Sequence, residues 1–205
     1  VPAGQFVVFA QNHDQVGNRM KGERLGASAP FEALKLAAGC VLLSPFIPLV
    51  FMGEEYAETA PFPYFISHTD DDLVRAVRDG RRREFAGFQW AGEPPDPQDE
   101  QTFQSAKLDH SLRHQPGNHR KLHAYYRELI RLRREIDALA LLCKDHMEIH
   151  GDRHHRVLFV RRWSRVDEVF LLLGFDRSPA SVAAPMPAGV WEKRLDSGDP
   201  RWGGA

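Results

Sequence analysis

The chain has 205 residues and 23.3 kDa, the size of one large domain, with 27 basic and 28 acidic side chains and a net charge of -1. That balance lacks the basic surplus a polyanion partner needs, and 42% apolar with 27% charged residues is an ordinary globular mix, so no nucleic-acid partner is expected.

The N-terminus has neither the basic flank nor the apolar run of a signal peptide. Ser44, Pro45 and Pro48 break the longest apolar stretch, Ala37 to Met52, into pieces too short for a bilayer, so no membrane partner is expected. Cys40 and Cys143 stand far apart without CxxC spacing, which suits a reducing, cytoplasmic setting.

Phe6 to Ala10 is a short apolar run that reads as a strand buried on both faces. It runs straight into Gln11, Asn12, His13, Asp14 and Gln15. Leu34, Ala37, Ala38, Val41 and Leu42 recur at helical spacing and predict a helix from Pro30 to Leu43, stopped by Ser44-Pro45. Ile47 to Met52 predicts a second buried strand, ended by Gly53 and followed by Glu54, Glu55 and Tyr56. Strand, helix and strand in this order make a βαβ unit of a parallel sheet.

From Tyr56 to Gln115 the pattern is irregular, with PFPYF, TDDD, RDGRRREF and EPPDP in succession. So long a loop in a compact domain is expected to shape a site. Asn118 to Leu139 predicts an amphipathic helix with Asn118 as its N-cap. Leu122, Tyr125, Tyr126, Leu129, Ile130 and Ile136 face inward, and Arg127, Arg131 and Arg134 outward. Beyond Leu142, HMEIHGDRHHRVLFVRRW predicts two strands about a Gly-Asp turn, EVFLLLGF a third, and SPASVAAPMPAGVWEKRLDSGDP further short strands. The expected organisation is therefore an α/β part over residues 1–141 and a small antiparallel β domain over 142–205.

Parallel α/β folds collect their chemistry at the carboxyl ends of strands. Here those ends deliver acids, amides and a histidine, a set suited to gripping sugar hydroxyls and to an oxocarbenium-like transition state. The local alternative is that Asp14 caps a turn and His13 bonds to backbone. His146, His150, His154 and His155 lie on a hairpin, whose alternation separates neighbours, so no metal is expected, nor any cofactor. Arg75, Arg78 and Arg81-Arg82-Arg83 are interleaved with Asp70, Asp71, Asp72, Asp79 and Glu84, as in self-neutralising pairs. Phe62, Tyr64, Phe65, Phe85, Phe88 and Trp90 supply either core or a sugar-stacking platform.

NHDQ after one strand and FMGEEY after the next resemble two conserved segments of the α-amylase superfamily. As a set, QNHDQVGNR, GERL, PLVFMGEEYAE, PFPYF, SHTDDDL, AVRDGRRREF and LDHSL resemble the malto-oligosyltrehalose trehalohydrolase family, over nearly all of the first 140 residues. The resemblance implies a (β/α)8 TIM barrel followed by a β-sandwich, with Phe6 to Ala10 and Ile47 to Met52 as its seventh and eighth strands. It implies a retaining α-glycosidase that cleaves the α-1,4 bond next to the terminal trehalose of maltooligosyl-trehalose or a related α-glucan.

Asp14 matches that family's transition-state-stabilising catalytic carboxylate and His13 its neighbouring substrate-binding histidine. Asn12, Gln15, Arg19, Glu54 and Tyr64 are further substrate-side candidates. The family's nucleophilic aspartate and general-acid glutamate, about 5 Å apart in a retaining enzyme, lie on earlier strands that this chain does not contain. It is thus expected to be a C-terminal part, truncated within its β domain, and inactive alone. Branching enzymes share the NHD and FMGEE-like segments and would transfer to a sugar hydroxyl. A non-catalytic glucan-binding fragment, using the β domain with Trp163 and Trp191, is the remaining alternative.

Overall fold

A computed structural model describes residues 1–86 and 92–204. In chain order these form β1 (Val7–Val8), α1 (His13–Gly17), α2 (Leu25–Ser28), α3 (Phe31–Leu42), β2 (Ile47–Pro48), α4 (Asp71–Ala86) and α5 (Glu100–Ser105). They continue with α6 (Asn118–Glu135), α7 (Asp137–Ala140), β3 (Met147–Asp152), β4 (Val157–Trp163) and β5 (Glu168–Gly174).

β1 and β2 pair in parallel, Val7 opposite Ile47 and Val8 opposite Pro48, with α3 as the crossover. The βαβ expectation therefore holds, but the strands are shorter than expected and are not buried on both faces. Phe6, Val7, Phe9, Ile47, Leu49, Val50 and Met52 are each more than a third exposed. A strand is covered only when neighbours and helices flank it, and among the described residues these two pair only with each other. Pro48 falls where its missing N–H costs this ladder nothing, since Ile47 N and Leu49 N on either side donate to Phe6 O (3.0 Å) and Val8 O (2.8 Å).

The core lies between α3 and α6. Ala38, Leu42 and Leu43 meet Leu122, Tyr125, Tyr126, Leu129 and Leu132, and Leu139 and Trp202 complete the cluster. α6 departs from its expected form in three ways. Gly117, at φ 102, takes the N-cap position and Asn118 is the first helical residue. Ile130 is 41% exposed on the arginine side, and Leu132 takes the inward position. Ile136 is extended (φ -100, ψ 115), so the helix stops at Glu135 and α7 restarts it.

Three buried or half-buried cations tie the ends of these helices. Arg133 donates to the carbonyls of Leu42 (2.6 Å), Ser44 (2.7 Å) and Phe46 (2.6 Å), where α3 has run out of backbone partners. Arg162 of β4 donates to Leu43 O (2.7 Å) and Leu141 O (2.6 Å), and its burial lowers its pKa to about 10. Lys35, wholly buried within α3, reaches Ser197 O (2.5 Å), Trp202 O (3.2 Å) and the Glu32 carboxylate (2.8 Å).

The region expected to be irregular contains α4. Its start is capped by Asp70, whose Oδ1 accepts from the N–H groups of Asp72 (2.9 Å) and Leu73 (3.1 Å). Its charges pair as Arg75 with Asp72, Arg78 with Asp96 (2.8 Å), Arg81 with Glu84 (2.9 Å) and Arg82 with Asp79 (3.9 Å). The arginine run is accordingly a charge-paired helix face.

β3, β4 and β5 form one antiparallel sheet in that order. Gly151 and Asp152 stay within β3, and the chain reverses instead over residues 153–156, with Arg156 at φ 51. Asp152 organises that turn by accepting from the N–H groups of His154 (2.9 Å) and His155 (3.1 Å). Residues 175–199 contain no strand, so residues 142–204 form a single three-stranded sheet and not a sandwich. Pro185, Pro187 and the glycines there cannot sustain a ladder.

Candidate active site

α1 begins where β1 leaves off. Asn12 is its N-cap, with its side-chain oxygen accepting from Gln15 N at 2.8 Å. The cap is therefore Asn12 and not Asp14, and Asn12's carbonyl oxygen is committed to the backbone. His13 and Asp14 occupy the first turn, His13 Nε2 lying 3.3 Å from Asp14 Oδ1, with side chains 72% and 75% exposed. They stand on the surface as a pair. Gln15 and Arg19 are exposed beside them, Arg19 Nε 3.6 Å from Glu23.

Beneath this turn lies a buried polar layer. Gln11 accepts from Leu25 N (3.0 Å), which ties the residue before the cap to the start of α2. Gly53, at φ +84, makes the reversal after β2, and a Cβ there would lie 2.6 Å from Glu58 Cβ, so only glycine fits. The reversal turns Glu54 inward to 7% exposure, where the Tyr126 hydroxyl donates to its Oε1 (3.2 Å). Burial pushes the Glu54 pKa up to about 7, helped by the Glu55 charge and opposed by bonds from Gln11, Phe51 and Tyr126. Glu54, a substrate-side candidate from the sequence, thus faces the interior.

Two residues that the sequence reading did not single out organise this layer. Glu58 is 3% exposed. Its Oε1 accepts from the N–H groups of Thr59 and Ala60 (both 2.8 Å), and its Oε2 from the Tyr56 hydroxyl (3.1 Å) and Asp109 N (2.8 Å). It fastens the LDHSL segment to the GEEY turn. Arg24, 4% exposed, donates to Ala60 O and Met52 O, both at 2.6 Å, and lies over the Phe51 ring. Gln11, Arg24, Leu25, Glu54, Glu58 and Tyr126 line a cavity of about 20 Å³, room for about one water. No local pattern marks Glu58 or Arg24; their membership in the strings GERL and GEEYAE was the only signal.

The aromatics divide between core and surface. Phe62 packs edge-on against Phe51 (5.3 Å), Phe65 against Phe103 (5.2 Å), and Phe85 is buried. Tyr64 remains 42% exposed, with the Arg81 guanidinium 4.9 Å from its ring centre. Phe88 and Trp90 lie outside the described residues. Trp163 lies between Arg161 and His146, and the Trp191 indole donates to Pro187 O (3.0 Å). Among the described residues no group of three or more His, Cys, Asp or Glu is arranged to hold a metal, and no helix is long and apolar enough to cross a membrane. Cys40 and Cys143 are both free.

No family model matches the chain. A malto-oligosyltrehalose trehalohydrolase from a Rhizobium species is 42% identical over 181 residues, which is 88% of this chain and 30% of that protein. A protein of the same name from Brevibacterium helvolum is 38% identical over 201 residues, 98% of this chain and 33% of that protein. The chain spans about a third of the length of these curated relatives. A crystal structure described as an α-amylase from Salmonella typhimurium superposes with a TM-score of 0.78 at 37% identity, over 92% of this chain and 32% of that one.

Proposed function

We propose, from the premise that the chain belongs to the malto-oligosyltrehalose trehalohydrolase family, that Asp14 is the transition-state-stabilising carboxylate of a retaining α-glycosidase. Residues 1–141 would then supply the closing βαβ portion of a (β/α)8 barrel, and residues 142–205 a β domain beside it. One observation carries this reading. His13 and Asp14 project together from the turn after a parallel strand, above a layer of buried polar groups that fixes the backbone beneath them.

The reaction is hydrolysis of the α-1,4 bond next to the terminal trehalose of maltooligosyl-trehalose. A nucleophilic carboxylate takes the sugar carbon while an acid protonates the departing trehalose oxygen, and water then releases the glycan. Positive charge grows on the ring in both steps, and the exposed Asp14 carboxylate stabilises it. His13 donates to a sugar hydroxyl, Gln15 and Arg19 flank it, and the open face of Tyr64 stacks on a sugar ring. Asn12 and Glu54 act from below, through the backbone they hold. The nucleophile and acid are provided outside these 205 residues, so this chain alone is inactive. The two free cysteines suit a cytoplasmic site of action.

The test is release of free trehalose from maltooligosyl-trehalose by the complete gene product, by its Asp14→Asn variant, and by this chain alone. The expected result is release by the complete product, a loss of about 10²–10³-fold in the variant, and none from the chain alone. Branched glucan without trehalose would reassign the reaction to glycosyl transfer. Trehalose from the chain alone would overturn the divided site.

A further inference from the structure

The arginines of α4 are not alike in their surroundings. Arg82 is 61% exposed in its side chain and 3.9 Å from Asp79, as expected of a solvated pair. The Arg81 side chain is 12% exposed. Its guanidinium lies between two rings, 4.9 Å from the centre of Tyr64 and 4.7 Å from that of Phe85. Its Nη1 meets Glu84 at 2.9 Å, and its Nη2 donates to Gly17 O at 3.2 Å.

Gly17 is the last residue of α1, the five-residue helix whose first turn carries His13 and Asp14. So short a helix does not hold its shape by its own hydrogen bonds. Its first end is fixed by the Asn12 cap and its last carbonyl by Arg81. The same guanidinium lies over the ring of Tyr64, the exposed aromatic among the site candidates. A cationic group near two rings that still has donors to spare on its rim suits these contacts, and arginine offers both.

We infer that Arg81 is a positioning residue, which sets the orientation of the His13–Asp14 turn relative to Tyr64 by clasping the Gly17 carbonyl. The inference rests on the reading of Asp14 given above, but its structural half can be measured without activity. Arg81→Met keeps the aliphatic stem and removes the donors; Arg81→Lys keeps the charge and one point donor; Arg82→Ala is the control on the same helix. The first readout is the His13 ring resonance in the NMR spectrum of this chain. The second is kcat and KM of the complete gene product on maltooligosyl-trehalose.

Arg81→Met is expected to shift or broaden the His13 resonance and to lower kcat by about 10–100-fold, with KM changed far less, as for a displaced catalytic group. Arg81→Lys is expected to fall between it and the unsubstituted protein, and Arg82→Ala to match the latter. An Arg81→Met protein that folds with an unmoved His13 resonance overturns the inference. Should Arg81→Met fail to fold, Arg81→Lys decides, because an unmoved His13 resonance there is equally fatal. A shifted resonance, with no trehalose released by any form, would uphold the clasp and sink the trehalose-releasing reading instead.

Discussion

Glu54 sits where its charge is disfavoured, enclosed by Gln11 after β1, Tyr126 on α6 and its neighbour Glu55, with Arg24 and Glu58 across the same small cavity. Its ordinary value of 4.5 is raised to about 7 by burial. Between those values the folded chain keeps a proton that the unfolded chain has lost. Stability is therefore highest at the acidic end of that window and falls as pH rises towards 7, by roughly 3 kcal/mol at most. Urea midpoints measured from pH 5 to 7.5 are expected to decline, and Glu54→Gln to flatten that decline. An equal slope in the variant would place the titration elsewhere. At this scale the sequence pointed to the exposed pair of the candidate site, because a strand followed by His13 and Asp14 is a local pattern. It could not show Glu58, whose role depends on the N–H of Asp109, 51 residues away. Nor could it tell that Glu54 turns inward, which depends on the left-handed Gly53.

Among elements, α3 was legible because one stripe meets one partner. α4 was not, since only Val74 and Phe85 of its residues are buried and its stability comes from the Asp70 cap and charge pairs that leave no apolar period. The strands β1 and β2 illustrate the opposite failure. Their composition predicts burial on both faces, yet burial belongs to the surroundings of a strand and not to its residues. α3 and α6 are joined by more than their apolar faces, because Arg133 serves three carbonyls at the end of α3. Arg133→Met preserves the stem and removes every donor, leaving partly buried carbonyls unpaired. A loss of about 2–4 kcal/mol is expected, or a melting temperature lower by roughly 5–15 °C. Arg133→Lys should recover part of it. A melting temperature within a degree or two of the parent's would show that water replaces the guanidinium without cost.

At the scale of the whole molecule, the change of texture near residue 142 suggests two units, whereas the core crosses that line. Trp202 belongs to the buried cluster of α3 and α6, and Val169, Leu171 and Leu195 pack against it. Arg162 reaches back to Leu43 O, and Lys35 reaches forward to Ser197 O and Trp202 O. Each of these bonds satisfies a buried group in one half with a partner from the other, so separating the halves would break them all and expose the shared apolar core to water. The chain is therefore expected to unfold in one step, with near-ultraviolet and far-ultraviolet circular dichroism giving coincident denaturant curves. A chain ending at Leu141 should show no cooperative transition, since it would expose the Trp202 side of the core and strip Lys35 of both its carbonyl partners. Two separated transitions, or a shortened chain melting like the long one, would make residues 142–205 an independent domain and the contacts across residue 142 mere docking.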